Sequence, residues 1–193
     1  VIPGQQAMNL ATNFSGSPAL VSGPGIGNLT YDRDRNQFFA TSLEDGMIYR
    51  IDSSGTILNS FDPLPPDTGA VGMPSRDDRL WAVEYEDGSL YYSVWHDGSI
   101  GNPSEIRKVD LLPSGDFNTA SDSSVLFVPG QGRAGSSRPS PVSDITFTLD
   151  GQKMILGVRT MQNDVTAYNH SSGTHVVELI ASVWTHTPFM RTG

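Results

Sequence analysis

The chain of 193 residues contains no cysteine. Disulfides, zinc–thiolate sites and thiol catalysis are therefore excluded. Lysine is nearly absent: Lys108 and Lys153 stand alone, and every other basic side chain that is not histidine is arginine. The net charge is −9. Such a chain lacks the basic face that a phosphate backbone requires, so no nucleic acid is expected as a partner. No apolar run approaches the ~18–20 residues needed to cross a bilayer as a helix, and no membrane span is expected. No stretch keeps a helical period, because Pro or Gly interrupts each candidate. No signal-peptide pattern opens the chain at Val1, which reads as a mature form or a fragment.

What is present is turn chemistry. The 20 glycines and 13 prolines are spread along the chain, and short runs with period-two alternation lie between them. Residues 26–62 read as four strands closed by Asp32–Asn36, Glu44-Asp45-Gly46 and Asp52-Ser53-Ser54-Gly55. Asp, Asn and Gly tolerate positive φ and suit tight hairpins. The grammar returns over residues 79–128, with Glu86-Asp87-Gly88 at its first turn. It returns again over 142–187, with Leu149-Asp150-Gly151. Units one and three align without a gap over their opening hairpins: Leu29 with Ile145, Tyr31 with Phe147, Asp34 with Asp150, Phe38-Phe39 with Met154-Ile155. Four-stranded repeats of this kind predict an all-β fold, a β-propeller of about three four-stranded antiparallel blades, preceded by an N-terminal extension at 1–25. The alternative is a β-sandwich. Three blades do not close a ring of the usual ~4–8, so either a second copy or another chain is expected to complete it.

Strand alternation puts the long connections on one rim: Pro63–Asp78, His96–Pro103, Pro129–Pro141 and Thr160–Thr174. On the other rim only Leu112–Ser123 is long. Long loops are where binding concentrates, so the ligand-binding candidates are Trp95, His96, Arg133, Arg138 and Arg159, with Arg76, Asp77 and His170 on the same rim. Trp95, at a strand end, is the candidate stacking platform for a sugar or a peptide. Gly130–Gly135 matches a dinucleotide fingerprint in spacing, but Ser136–Pro141 cannot start the helix whose amides would hold the phosphate. Asp32, Asp34 and Asn36 alternate like the start of a calcium loop, but the sixth-position Gly is missing. His170 and His175 flank one turn without an identifiable third metal ligand. No Gly-x-Ser-x-Gly elbow is present, so no catalytic residue is assigned.

Gly27–Asp32 with Gly46–Asp52, Ser143–Gly151 and Leu90–Trp95 resemble propeller repeats of the gluconolactonase-like and NHL-like kind, and those of large secreted or cell-surface bacterial proteins. The resemblance covers about residues 26–185. It implies an extracellular or cell-surface placement and a non-catalytic module with a structural, adhesive or protein- or glycan-binding role, without a cofactor. The lactonase side of the resemblance implies an alternative, a calcium-dependent hydrolase. In that family a Glu of an early blade and Asn and Asp of later blades hold a central metal. Here Gly25–Asn28 takes the place of the Glu, Asp144 stands where a ligand Asn would be, and Glu84 is the other acidic residue in a first strand. Glu84 and Asp144 are the metal ligands on that reading, with His96 or Arg159 assisting.

Overall fold

The computed structural model describes residues 26–43, 45–64, 79–96, 103–128, 141–159 and 173–187. Among the described residues, twelve strands form three separate four-stranded antiparallel sheets, each paired in sequence order. Blade 1 comprises β1 (Ile26–Asp32), β2 (Gln37–Ser42), β3 (Ile48–Asp52) and β4 (Ile57–Phe61). Blade 2 comprises β5 (Arg79–Glu86), β6 (Ser89–Trp95), β7 (Ser104–Asp110) and β8 (Ser123–Val128). Blade 3 comprises β9 (Val142–Phe147), β10 (Lys153–Val158), β11 (Gly173–Ile180) and β12 (Val183–His186). Three sheets of this order are propeller blades, not the two facing sheets of a sandwich. The extension at 1–25 lies outside the described residues.

Two apolar layers hold the arc together. Phe39, Ile48 and Phe61 of blade 1 pack against Leu80, Val83, Leu90, Tyr92, Val94 and Val109 of blade 2. Ala82, Ile106, Leu126 and Val128 of blade 2 pack against Val142, Ile145, Met154, Leu156 and Val177 of blade 3. The alternation seen in the sequence thus serves two interfaces at once, since β5, β6 and β7 of the middle blade present apolar residues to both sides.

A repeated hydrogen-bond relay fastens each joint near the axis. In blade 1 the Asn28 N–H donates to Thr41 Oγ1 at 3.0 Å, and that hydroxyl donates to the Trp81 carbonyl of blade 2. In blade 2 the Ala82 N–H donates to Ser93 Oγ at 2.9 Å, and that hydroxyl donates to the Val142 carbonyl of blade 3 at 2.7 Å. Both donors lie in a register irregularity of the first strand, which frees an amide from its ladder. The corresponding position of β10 is Gly157, opposite Asp144.

The turns explain where the strand limits differ from expectation. Asp87-Gly88 closes β5–β6 with both residues at positive φ, as its sequence announces. Ala181 and Ser182 do the same between β11 and β12, at φ 49° and 66°. Neither residue favours that region, so the sequence does not announce this turn, and β12 begins only after it, at Val183.

Candidate functional site

The innermost strands β1, β5 and β9 bring polar side chains of three blades together at the axis. Asn28 Nδ2 donates to Asp144 Oδ1 at 3.0 Å, across 116 positions of sequence. Asn28 Oδ1 in turn accepts the Leu29 N–H at 2.7 Å. One turn along β1, Thr30 Oγ1 donates to Glu84 Oε2 at 2.9 Å and accepts the Tyr85 N–H at 3.0 Å. Glu84 is half-buried. Burial first, then the negative charges of Asp144 and Glu86, raise its pKa above the ordinary value, against the opposing effect of the Thr30 bond. The two acidic residues named in the sequence are therefore neighbours in space. Asn28 and Thr30, which link the blades to them, carried no sequence signal beyond their place in the first strand.

These groups do not make a calcium cage. Calcium takes about 6–8 oxygens. The axis supplies two carboxylates, a hydroxyl and an amide oxygen already engaged by a backbone amide. Among the described residues no group of three or more His, Asp or Glu is placed to hold a metal. What the axis offers is a small acidic, hydrogen-bonding surface suited to hydroxyls or to a cationic side chain.

On the long-loop rim Trp95 is 2% exposed. Arg79 lies over its ring at 5.2 Å, and Trp81 packs beside it at 5.7 Å. The expectation of an open stacking platform is corrected: the final turn of β6 directs this ring into the rim, where burial of its large apolar surface stabilises the blade. Its indole Nε1 is buried without a hydrogen-bond partner. His96 Nε2 lies 3.3 Å from Glu105 Oε2. Glu105 also meets Arg107 Nη1 at 3.2 Å, and Arg107 Nη2 meets Asp122 Oδ2 at 2.6 Å. The Tyr92 hydroxyl donates to the same Asp122. Burial pushes the Glu105 carboxyl up, but the bonds from His96 and Ser124 and the Arg107 charge outweigh it and hold the pKa below the usual range. His96 thus sits in a network that pins β7 to the connection before β8. Arg159 is exposed at the end of β10, with its amide donating to the Pro141 carbonyl. Arg133, Arg138, Arg76, Asp77 and His170 lie outside the described residues.

His175, paired in the sequence with His170, lies instead against His186 at 5.7 Å between ring centres. Burial, and then the His186 charge, lower its pKa from 6.5 to about 4. The folded state therefore favours the neutral ring. Stability is complete above about pH 6.5 and falls as pH drops toward 4, because the unfolded chain takes up the proton first. At about 1.4 kcal/mol per unit, the expected loss is roughly 2–3 kcal/mol. Urea unfolding of wild type and His175→Gln at pH 7 and pH 4.5 checks it: the variant should lose less on acidification, and parallel losses would refute the assignment.

No family model matches the chain, and no curated protein matches it. Several solved structures do. A candidate 6-phosphogluconolactonase from Bacteroides fragilis aligns over 86% of this chain and 38% of its own, at 9% identity and a TM-score of 0.47. The periplasmic gluconolactonase of Pseudomonas aeruginosa aligns over 89% of this chain and 47% of its own, at 12% identity and a TM-score of 0.45. A chain of a nidogen/laminin complex aligns over 88% of this chain and 64% of its own, at 10% identity and a TM-score of 0.43. The chain spans less than two thirds of each of these proteins. The propeller assignment rests on the three blades themselves.

Proposed function

We propose that the chain is a non-catalytic propeller module of an extracellular or cell-surface protein, binding a protein or glycan ligand, with a ring completed by association. The observation that carries this reading is the exposure of apolar side chains on both end blades, beside Ala40 and Tyr49, which are buried on the outer face of blade 1. Leu29 and Tyr31 are 53% and 45% exposed on blade 1, and Ile180 and Val183 are 54% and 62% exposed on blade 3. Exposed apolar side chains on sheet faces without a neighbouring blade among the described residues favour a binding partner. The rim that bears Arg159, and in the sequence Arg133 and Arg138, is the ligand side of the proposal. The acidic axis supports a hydrogen-bonding floor for that ligand.

Calcium distinguishes this reading from a lactonase-like hydrolase built on Glu84 and Asp144. A bound ion raises the melting temperature by mass action. Millimolar calcium is expected to leave the thermal unfolding curve unmoved after treatment with a chelator. A rise of several degrees that Glu84→Gln abolishes would overturn the non-catalytic reading in favour of a metal centre.

A further inference from the structure

His175 and His186 form a pair that neither the axis nor the rim network uses. His186 of β12 pairs directly with Val177 of β11. Side chains alternate along a strand, so His175, two positions from Val177, shares the face of His186 and is its diagonal neighbour. That face is turned to blade 2, because Val177 belongs to the apolar layer between blades 2 and 3. The two rings lie 5.7 Å apart, centre to centre, at an angle of 68°. The sequence set His175 against His170 across one turn, but the fold supplies His186 as its neighbour.

The pair is arranged as metal ligands are. With metal–nitrogen bonds of about 2.0–2.1 Å, two imidazoles on one ion can have ring centres up to ~6.4 Å apart. The separation of His175 and His186 falls inside that reach. His186 Nε2 lies 3.0 Å from the Phe127 carbonyl oxygen of β8. A carbonyl only accepts, so Nε2 carries the proton and donates it. In the neutral ring the lone pair is then on Nδ1. Ligating histidines have their second nitrogen engaged in this way, by a carbonyl or carboxylate that fixes tautomer and ring. His175 needs only one of its nitrogens for an ion, so a contact made by the other is retained. His175 is 5% exposed, whereas His186 is open to solvent. One ring is thus held in the joint between two blades, and the other faces the water from which an ion arrives.

We infer that His175 and His186 bind a divalent transition-metal ion, of the copper(II) and zinc class, between the outer strands of blades 2 and 3. Imidazole nitrogen suits such ions, whereas calcium takes oxygen. The site is therefore distinct from the calcium reading of Glu84 and Asp144, and it stands apart from the module reading above. Closed structural zinc sites take four protein ligands. Two histidines, with water completing the coordination, make this ion exchangeable. Its consequence is structural. The outer part of the joint between blades 1 and 2 is tied by Arg50 Nη2 to the Ser114 carbonyl at 2.9 Å and by Asn59 to Asp116. Between blades 2 and 3 the outer strands meet through His186 and the Phe127 carbonyl. An ion on both histidines links β11 to β12 and, by holding the His186 ring, β12 to β8.

Copper(II) alone is the probe. The whole chain is stripped with a chelator and titrated with copper(II) in a non-coordinating buffer. One equivalent is expected to bind, with an electron paramagnetic resonance spectrum showing nitrogen couplings from two imidazoles. The melting temperature should rise by mass action. His186→Gln changes an exposed side chain, so the fold is expected to survive. It should weaken binding about tenfold or more, at least the effect of disturbing a ligand's own support. It should also remove one set of nitrogen couplings and the rise in melting temperature. His175→Gln should do the same where circular dichroism shows it folded, and the His186 variant decides the matter where it does not. Copper that leaves the melting temperature unmoved would overturn the proposal. Equal binding by wild type and His186→Gln would overturn it too, as adventitious copper on scattered histidines. Binding lost in His170→Gln but kept in His186→Gln would move the ion to the His170–His175 pair and overturn this site.

Discussion

Replacing Phe39 by alanine is expected to lower the unfolding free energy by about 3–5 kcal/mol. The ring is fully buried at the middle of the layer between blades 1 and 2. Its edge meets Phe117 at 5.4 Å, and Phe117 meets Phe61 at the same separation. Phe117 belongs to the connection between β7 and β8, held by its bridge to Leu111. Phe39 therefore joins blade 1 to the core of blade 2 and to its third connection, and truncation removes support from all three. The blades cannot collapse into the gap, because Thr41–Trp81 on the axis and Arg50–Ser114 outside it hold their spacing. A residual cavity adds to the lost transfer energy. Denaturant unfolding followed by circular dichroism should show a lower midpoint with an unchanged slope. Phe39→Leu, which leaves most of the volume filled, should cost about 1–1.5 kcal/mol. A loss below about 1 kcal/mol for the alanine variant would mean that the two blades do not share this core.

The strands and most turns were legible because their information is local. Gly46, Gly55 and Gly88 mark turns by the φ they permit, and the alternation at Leu90–Trp95 marks a strand with two working faces. The gapless match of units one and three carried further, since it places Asp150 where Asp34 stands. Long-range proximity was not legible. Nothing near Asn28 announces Asp144, and nothing near Gln37 announces that its amide reaches the Gly115 carbonyl at 3.1 Å. The stretch Leu112–Ser123 stood out in the sequence only as a long connection on its rim, yet it buries Phe117 and closes over Gln37 and Arg50. Trp95 misled for a related reason. A strand-end aromatic looks exposed when the neighbouring Arg79 and Trp81 are out of sight, although all three lie on one side of a single hairpin. Position along a strand was readable, whereas the occupant of the space beside it was not.

Gly27→Ala is expected to cost about 2–3 kcal/mol, the scale of overpacking in a tight interior. A Cβ at this position would lie 2.5 Å from the Trp81 carbonyl oxygen, 2.6 Å from Thr41 Oγ1 and 2.9 Å from the Leu80 carbonyl oxygen. Two of those three atoms are backbone and belong to the next blade, so relief requires β1 and β5 to separate. Separation breaks the relay from Asn28 through Thr41 to Trp81 and the Thr30–Glu84 bond below it. Thr41→Ala in the same chain removes one of the three collisions along with the relay hydroxyl. It should restore little, because the two carbonyls remain. Denaturant midpoints for both variants decide the point: an alanine at 27 that unfolds within about 0.5 kcal/mol of wild type would mean that the blades can part freely at the axis. The same collision bears on position 27, which lies within Gly25–Asn28, where the lactonase resemblance implies a metal-binding Glu. A glutamate at position 27 would have to begin with the Cβ that the neighbouring carbonyls exclude. The close approach of blades 1 and 2 and any larger side chain at position 27 are thus alternatives.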